Sequence, residues 1–185
     1  YQPDFMREQT DLPVLVRADN GHFLSEADME GAGKRPNQFY HFDTATKSLH
    51  KAHRGTLKLD YVPALEGTFT VKLHDGKNVT VQPVFERLKE HLKDYTPELA
   101  SKKSHVPVSV IKEMAHKVAT LRTCTYMGFS SAKNYHGDLM ERSLLLAMAL
   151  TANWGKPGTG FCFWAFPEDH FLYLALADKT VSSVE

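Results

Sequence analysis

A polar loop, Ser130-Ser-Ala-Lys-Asn-Tyr-His136, carries the side chains of this chain that are best suited to hold a ligand. Lys133 and His136 can each act as an acid or a base, but no carboxylate is paired with either of them at a defined spacing. The loop therefore favours binding through hydrogen bonds over proton transfer. A loop that only caps its own helix is an alternative that these residues leave open.

Two neighbouring patterns resemble catalytic or phosphate-binding motifs but fail on spacing. Ser130 and Ser131 follow Gly128, yet no Gly-x-Ser-x-Gly is present, which argues against a hydrolase nucleophile. The glycines from Gly155 to Gly160 follow a predicted helix instead of a strand, and they lack the Lys-Ser or Lys-Thr of a phosphate loop. We interpret them as a helix end with a tight turn.

Neither the histidines nor the cysteines indicate a metal site. Of the ten histidines, only His50 and His53 are three apart, and they lie in a predicted loop and not on a helical ligand face; Cys124 and Cys162 each lack a second cysteine nearby. We therefore predict no metal ligand and no catalytic residue in this chain. For the two cysteines we expect buried thiols in preference to a disulfide.

The elements on either side of the polar loop must position it. Leu121 to Gly128 is too short for a helix and rich in β-forming residues, so we predict a buried strand. Asp138 and Glu141 resemble a capping box at the start of a helix to about Leu150, and the apolar second half of that helix predicts deep burial. Strand, loop and helix in this order place the loop at the carboxyl end of a parallel strand, where open α/β sheets bind ligands.

Local signals predict smaller elements in the rest of the chain. They are a hairpin within 12–24, a β excursion across 39–51, a hairpin at 68–82, and helices at 84–93, from Thr96-Pro97 onward and from Pro107 to Ala119. The fold class predicted from this order is α/β, with a β-rich insertion at about 12–82 and an α/β layer at about 84–160. The predicted parts are an irregular β-rich part at 1–83, a cofactor-binding part at 84–160 and an aromatic-rich interdomain segment at 161–185.

Composition limits the function classes. Lys plus Arg and Asp plus Glu number 22 each among the 185 residues, which argues against a nucleic-acid partner. The longest apolar run, Leu144 to Leu150, is far shorter than the roughly 20 residues that a membrane-spanning helix needs. Because the chain begins at Tyr1 and not at Met, we expect it to be an internal piece of a longer protein.

Several runs of residues, in order over about residues 8 to 165, match a known family. They are Thr10-Asp-Leu-Pro-Val-Leu-Val-Arg17, Asp19-Asn-Gly-His-Phe-Leu24, Val81-Gln-Pro-Val-Phe85, Tyr95-Thr-Pro-Glu98, Val106 to Ala119, Asn134-Tyr-His-Gly-Asp138 and Leu150-Thr-Ala-Asn-Trp-Gly-Lys-Pro-Gly-Thr-Gly160. Together they resemble the large subunit of molybdopterin oxidoreductases, in the type II branch of the dimethyl sulfoxide reductase superfamily. That branch includes nitrate reductase, nitrite oxidoreductase and the dimethyl sulfide and ethylbenzene dehydrogenases.

The resemblance implies a molybdenum bis(molybdopterin guanine dinucleotide) enzyme that performs two-electron redox chemistry, as oxygen-atom transfer or hydroxylation. The loop matching Ser130 to His136 lies beside a pterin in the family. The cofactor contacts that this implies are Ser131, Lys133, Asn134, Tyr135 and His136. The family's iron–sulfur motif and aspartate molybdenum ligand belong upstream of the matched region, so an iron–sulfur cluster is expected in the rest of the subunit. The isolated segment is not expected to be active.

The resemblance also implies partners, a role in anaerobic respiration and a compartment. The expected partners are the rest of the same subunit, an iron–sulfur electron-transfer subunit, a haem subunit in some members, and a small-molecule substrate. We expect a periplasmic location, with the cytoplasmic face of the inner membrane as the alternative. The alternative function is a noncatalytic paralogue or fragment that serves as an assembly or docking module.

One motif departs from the family pattern. The family's Leu-Thr-Gly-Asn signature reads Leu150-Thr-Ala-Asn153 in this chain. Since glycine allows close approach of the backbone, we expect the packing at Ala152 to be slightly altered.

Overall fold

The structure is a computed structural model that describes residues 1–31, 33–52, 58–128, 131 and 133–163. The chain divides into two compact units, one of residues 1–121 with 149–152 and one of residues 122–148 with those from 153 onward. In chain order the described elements are α1 (Pro3–Gln9), β1 (Leu15–Arg17), α2 (Glu26–Glu30), β2 (Tyr40–Phe42), β3 (Leu49–Lys51), β4 (Phe69–Lys72), β5 (Asn78–Pro83), α3 (Val84–Leu92), α4 (Pro97–Ser104), α5 (Val108–Thr120), β6 (Cys124–Met127), α6 (Gly137–Leu150) and β7 (Gly160–Phe163).

An antiparallel sheet in the order β1-β5-β4 organises the first unit. β4 and β5 form the hairpin predicted at 68–82, and Gly76 supplies the positive φ of 85° that its turn requires. β1 pairs with β5, and an antiparallel bridge between Val16 and Phe23 confirms the turn predicted within 12–24.

A second antiparallel pair in this unit joins β2 to β3, with His41 opposite His50. It confirms the β excursion predicted across 39–51. The rings of Phe42 and Phe69 stack with their centroids 3.7 Å apart, so an aromatic contact joins this pair to the larger sheet.

The core of the first unit forms on one face of the larger sheet. Leu15, Leu24 and Val81 are fully buried there, and alternate positions of β4 and β5 point into the same cluster. A smaller cluster contains Met6 of α1 and Phe85 of α3. Full burial of each such side chain stabilises the fold by roughly 1.5–3 kcal/mol.

Helices α3, α4 and α5 of the first unit begin where the sequence predicts, whereas α1 and α2 were not predicted. At the start of α4, the Leu99 N–H donates to the Thr96 hydroxyl at 3.2 Å, and Pro97 occupies the first turn, where its missing N–H costs nothing. α3 follows Pro83 directly, and α5 begins just after Pro107. Neither α4 nor α5 has a buried residue.

The second unit contains a strand–helix–strand arrangement. β6 and β7 run parallel, with Cys124 opposite Gly160 and Met127 opposite Phe163, and α6 lies in the connection that parallel neighbours require. The parallel strand predicted before the polar loop is therefore confirmed. β7 was not predicted, because its residues fall at the edge of the segment interpreted as interdomain, and four residues after a glycine-rich turn carry little periodic signal.

Two expectations of burial in this unit are wrong. Tyr126 of β6 is 71% exposed, and Met127 is the one buried residue of that strand. In the apolar second half of α6, Leu144 is 36% exposed, and of the large apolar side chains only that of Met148 is buried. An apolar run indicates that its residues gain free energy by leaving water. It does not indicate which segment covers them, because that depends on residues elsewhere in the chain.

The fold is mixed α/β, as predicted. The finer assignment of 12–82 as an insertion and of 84–160 as a layer stays a prediction, as does the division at 83 and 160. Among the described helices, none combines the length and the apolar character needed to cross a bilayer.

Candidate functional site

The candidate site is the loop that joins the carboxyl end of β6 to the start of α6. Parallel strands with a helical crossover present such loops at one edge of the sheet, where α/β proteins bind ligands. The described part of the loop is Gly128, Ser131 and residues 133–136. Ser130, which the sequence analysis included in the loop, lies outside the described residues.

Ser131 closes the loop on itself and ties it to α6. Its Oγ atom lies 2.6 Å from the carbonyl oxygen of Gly128 and 2.6 Å from Oε1 of Glu141. A hydroxyl has one proton to donate, so the two acceptors share it. Glu141 accepts from Ser131, and α6 already begins at Gly137, so Asp138 lies inside the first turn and is not the N-cap of the predicted capping box; that prediction is wrong.

The backbone of the loop sets where α6 begins. The Gly137 N–H donates to the Asn134 carbonyl oxygen at 2.8 Å. The His136 carbonyl oxygen accepts from the N–H groups of Leu139 and Met140 at 3.1 and 3.2 Å. His136 has a φ of 56°, a left-handed conformation that costs a non-glycine residue roughly 1–2 kcal/mol.

The remaining predicted contacts are exposed on the same loop. Lys133, Asn134, Tyr135 and His136 all face solvent, and Tyr135 is 92% exposed. The Tyr135 and His136 rings lie 3.8 Å apart at an angle of 57°. The structure thus shows Ser131 bonded inside the loop and four exposed residues beside it. Both interpretations of the loop agree with the structure, because Ser131 ties the loop to α6 while residues 133–136 are exposed.

A left-handed turn ends α6. The Asn153 N–H donates to the Met148 carbonyl oxygen at 2.9 Å and the Ala152 N–H to that of Ala149 at 3.4 Å, which is the Schellman pattern. Ala152 adopts a φ of 55°. The family's glycine at this position is therefore explained by the positive φ, a reason that the expectation of altered packing missed.

Asn153 is a structural residue to which the sequence analysis assigned no role. It is 4% exposed, and its Oδ1 atom accepts a hydrogen bond from the Thr123 N–H at 2.9 Å. The contact anchors the residue just before β6 to the turn after α6. The motif Leu150-Thr-Ala-Asn153 was visible in the sequence, but the partner of its last residue lies 30 positions away.

The glycine-rich segment after α6 is a turn, as predicted. The Thr159 Oγ1 atom lies 2.7 Å from the Lys156 carbonyl oxygen and accepts from the Lys156 N–H at 3.2 Å. Gly155 and Gly158 have φ values of 69° and 79°, which glycine adopts without strain. These bonds close the turn internally.

A second group of titratable side chains lies around β2 and β3 in the first unit. His41 Nδ1 lies 2.8 Å from the Tyr61 hydroxyl, and the Tyr61 ring stacks on His50 with the centroids 4.4 Å apart. Burial lowers the pKa of His41 to about 4 and raises the pKa of Tyr61 to about 12. A hydrogen bond from the Thr46 hydroxyl lowers the pKa of Asp43 to about 2. These groups are partnered within the unit, so we assign them to stability.

No three His, Cys, Asp or Glu side chains within the described residues come together in a way that holds a metal ion. What the chain presents at the candidate site is instead a set of nitrogen and oxygen donors on one loop.

Comparison with known proteins finds no matching family model. The chain is 35% identical over 188 residues to the perchlorate reductase subunit alpha of Dechloromonas aromatica (strain RCB), covering 86% of this chain and 20% of that protein. It is 35% identical over 187 residues to the dimethylsulfide dehydrogenase subunit alpha of Rhodovulum sulfidophilum, covering 96% of this chain and 20% of that protein. It is 34% identical over 168 residues to the chlorate reductase subunit alpha of Ideonella dechloratans, covering 86% and 18%. The chain spans about a fifth of the length of these curated relatives.

Proposed function

The chain belongs to the molybdopterin oxidoreductases of the dimethyl sulfoxide reductase superfamily, and we propose that it forms one wall of the cofactor pocket in a catalytic α subunit. The observation that carries the proposal is the exposed set of donors on the loop after β6, in a chain that aligns with such subunits over most of its length. The residues proposed to contact the cofactor are Lys133, Asn134, Tyr135 and His136, with Ser131 supporting the loop.

The chemistry of these donors fits a pterin dinucleotide. Such a ligand presents phosphate oxygens and ring nitrogen and oxygen atoms, which accept hydrogen bonds from ammonium, amide, phenol and imidazole groups. The loop also precedes the first turn of α6, where the helix dipole favours negative charge. Tyr135 and His136 have no side-chain hydrogen bond to any other described residue, so both are available for a ligand.

Each residue has a distinct part in this proposal. Ser131 fixes the loop by its bonds to Gly128 and Glu141, and so holds the neighbouring donors in place. Lys133 neutralises phosphate charge, while Tyr135 and His136 orient the ligand through directional hydrogen bonds. The molybdenum cofactor, when bound, supplies two-electron redox chemistry, as oxygen-atom transfer or hydroxylation. This chain is therefore proposed to bind and orient the cofactor and to exclude water beside it.

The finer features of the enzyme are part of the same proposal. We propose the bis(guanine dinucleotide) form of the cofactor, an iron–sulfur cluster in the rest of the subunit, and an electron-transfer subunit as partner. The proposed compartment is the periplasm. The exposed side chains of Leu139 and Phe161 support a cover supplied by the rest of the same subunit, since large apolar side chains gain from leaving water.

The proposal is tested by cofactor content in the intact purified protein. We expect Tyr135→Ala combined with His136→Ala to lower the molybdenum and the guanine nucleotide released per subunit at least several-fold. The matched control is Tyr95→Ala combined with His91→Ala, which removes an exposed tyrosine and a histidine from the first unit, whose rings also lie near each other. This control is expected to keep full occupancy.

Two results would contradict the proposal. Unchanged cofactor content in the loop variant would remove the loop from the binding site. Absence of molybdenum and tungsten from the intact wild-type protein would favour the alternative, a noncatalytic paralogue or fragment that serves in assembly or docking.

A further inference from the structure

The two cysteines of this chain meet on adjacent strands of the second unit. Cys124 lies opposite Gly160 in the parallel pair, and Cys162 is two residues beyond Gly160 on β7. Residues two apart on a strand point to the same face, so both thiols project from one face of the pair. Their Sγ atoms lie 3.3 Å apart, and both residues are exposed. The expectation of two buried thiols is therefore wrong.

The surroundings leave the two thiols free to react with each other. Gly160 has no side chain, and the space beside it is open, so nothing stands across from Cys124 on β7. Cys124 donates its S–H to the Thr125 carbonyl oxygen at 3.7 Å. Hydrogen bonding with Cys162, and burial, raise the pKa of the Cys124 thiol above its ordinary value.

We propose that Cys124 and Cys162 are a redox modification site that closes reversibly into a disulfide between β6 and β7. A disulfide has an S–S length of about 2.0 Å, so the sulfur atoms must approach by a little over about 1 Å from their present 3.3 Å. Two exposed thiols at this separation are far closer than chance placement on a surface would bring them. The site is separate from the donors of the polar loop and does not rest on the proposed cofactor role.

The oxidant is a small-molecule disulfide such as oxidised glutathione. One of the two cysteines loses its proton to solvent, and its thiolate attacks one glutathione sulfur, which breaks the glutathione S–S bond and releases one glutathione thiolate. The other cysteine then loses its proton, and its thiolate attacks the protein sulfur of the mixed disulfide and releases the second glutathione thiolate; the two released thiolates take up the two protons. In sum, two cysteine thiols lose two protons and two electrons, and one oxidised glutathione becomes two molecules of reduced glutathione.

The bond would cross-link the strand that leads into the polar loop. β6 ends at Met127, directly before that loop, and the cross-link would tie its first residue to β7. Local opening of the pair would then be suppressed in the oxidised form, because separation of the strands would strain the cross-link.

The experiment treats the intact native protein with oxidised glutathione and maps its cysteines by peptide mass spectrometry. We expect one linked peptide pair that contains Cys124 and Cys162, lighter by two hydrogens than the reduced pair, and its reversal by dithiothreitol. No lasting glutathione adduct is expected on either cysteine. Amides of β6 and β7 should exchange hydrogen at least several-fold more slowly in the oxidised protein.

The matched variants are Cys124→Ser and Cys162→Ser. In Cys124→Ser we expect a stable glutathione adduct on Cys162, because the resolving thiol is gone. In Cys162→Ser we expect a stable adduct on Cys124 for the same reason. Lasting adducts on both cysteines of the wild-type protein would overturn the proposal. So would two thiols that stay unmodified in the native protein but react after unfolding. Both of these outcomes are read from wild-type protein, so the test does not depend on the folding of the variants.

Discussion

In the first unit Leu15, Leu24 and Val81 have no contact with solvent, whereas in the second unit Tyr135 is 92% and Leu139 53% exposed. The first unit closes two apolar clusters from its own strands and helices. The second unit, within its described residues, buries few large apolar side chains. Its other large apolar side chains are not covered by any layer of described residues.

The difference shows that the first unit buries its apolar side chains with its own residues, whereas the described residues of the second unit do not. A three-stranded sheet with flanking helices can cover one of its own faces. Two parallel strands with one helix cannot do the same. A parallel sheet is normally covered on both faces, and one helix covers only one of them. This contrast is why the proposed function assigns the missing cover to the rest of the subunit.

The largest loss of stability that tests this contrast is expected for a substitution of Leu15 in the first unit. Leu15→Ala removes a fully buried side chain and should lower the free energy of opening of the first unit by about 2–5 kcal/mol. Native-state hydrogen exchange of the β5 amides measures it. Val62→Ala, at a position that is 46% exposed, is the control and should stay within about 0.5 kcal/mol. Equal effects at both positions would mean that this core does not stabilise the unit.

Acid should weaken the first unit through His41. Its pKa falls from the ordinary 6.5 to about 4 because the ring is buried, so the unfolded chain takes up a proton before the folded chain does. Stability is therefore full above pH 6.5 and is lost as the pH falls toward 4, by up to about 3 kcal/mol. Hydrogen exchange of β2 and β3 between pH 7 and 4 measures the loss.

The matched variants separate His41 from other acid effects. His41→Gln should flatten the stability profile between pH 6.5 and 4, whereas His22→Gln, at an exposed position, should leave it unchanged. A profile that keeps its slope in His41→Gln would assign the acid sensitivity to another group.

In the second unit the sharpest test of internal order is Asn153. Asn153→Ala leaves the Thr123 N–H without the acceptor it has now and should cost about 1–3 kcal/mol. Hydrogen exchange at the β6 amides measures the cost. Asn78→Ala, at an exposed position of β5, is the control and should change little. No loss in Asn153→Ala would show that the second unit depends on its surroundings even for the position of β6.

The smallest effect is expected at the end of α6. Ala152→Gly relieves the positive φ of 55° and should stabilise the helix end by up to about 1 kcal/mol. Ala149→Gly, inside the same helix, should instead cost about 1 kcal/mol because glycine disfavours helical backbone. Thermal melting of the intact protein compares the two. Destabilisation by both substitutions would contradict the left-handed turn.

Much of the fold was predictable because its signals are local. Asp75-Gly76 between alternating runs predicted the hairpin, and Thr96-Pro97 predicted the start of α4, since turn and cap chemistry involves residues at most a few positions apart. The strand before the polar loop was predicted for the same reason.

The errors concern contacts between distant residues. The Ser131 bond to Glu141, the Asn153 bond to Thr123 and the meeting of Cys124 with Cys162 span 10, 30 and 38 positions. Each depends on how a helix or strand is packed, which residue spacing alone does not express. The predicted cofactor contacts lie together on one loop, and their role stays a prediction.

The sequence by itself determined the family, the hairpin of β4 and β5, helices α3 to α5, and the position of the polar loop after a strand. These follow from backbone preferences and short-range capping, which act wherever the residues occur. Only the tertiary structure decided that β7 pairs parallel with β6, that Ser131 points inward while Tyr135 and His136 face solvent, and that the two thiols meet. These outcomes depend on non-local packing, because burial and pairing are properties of neighbours in space.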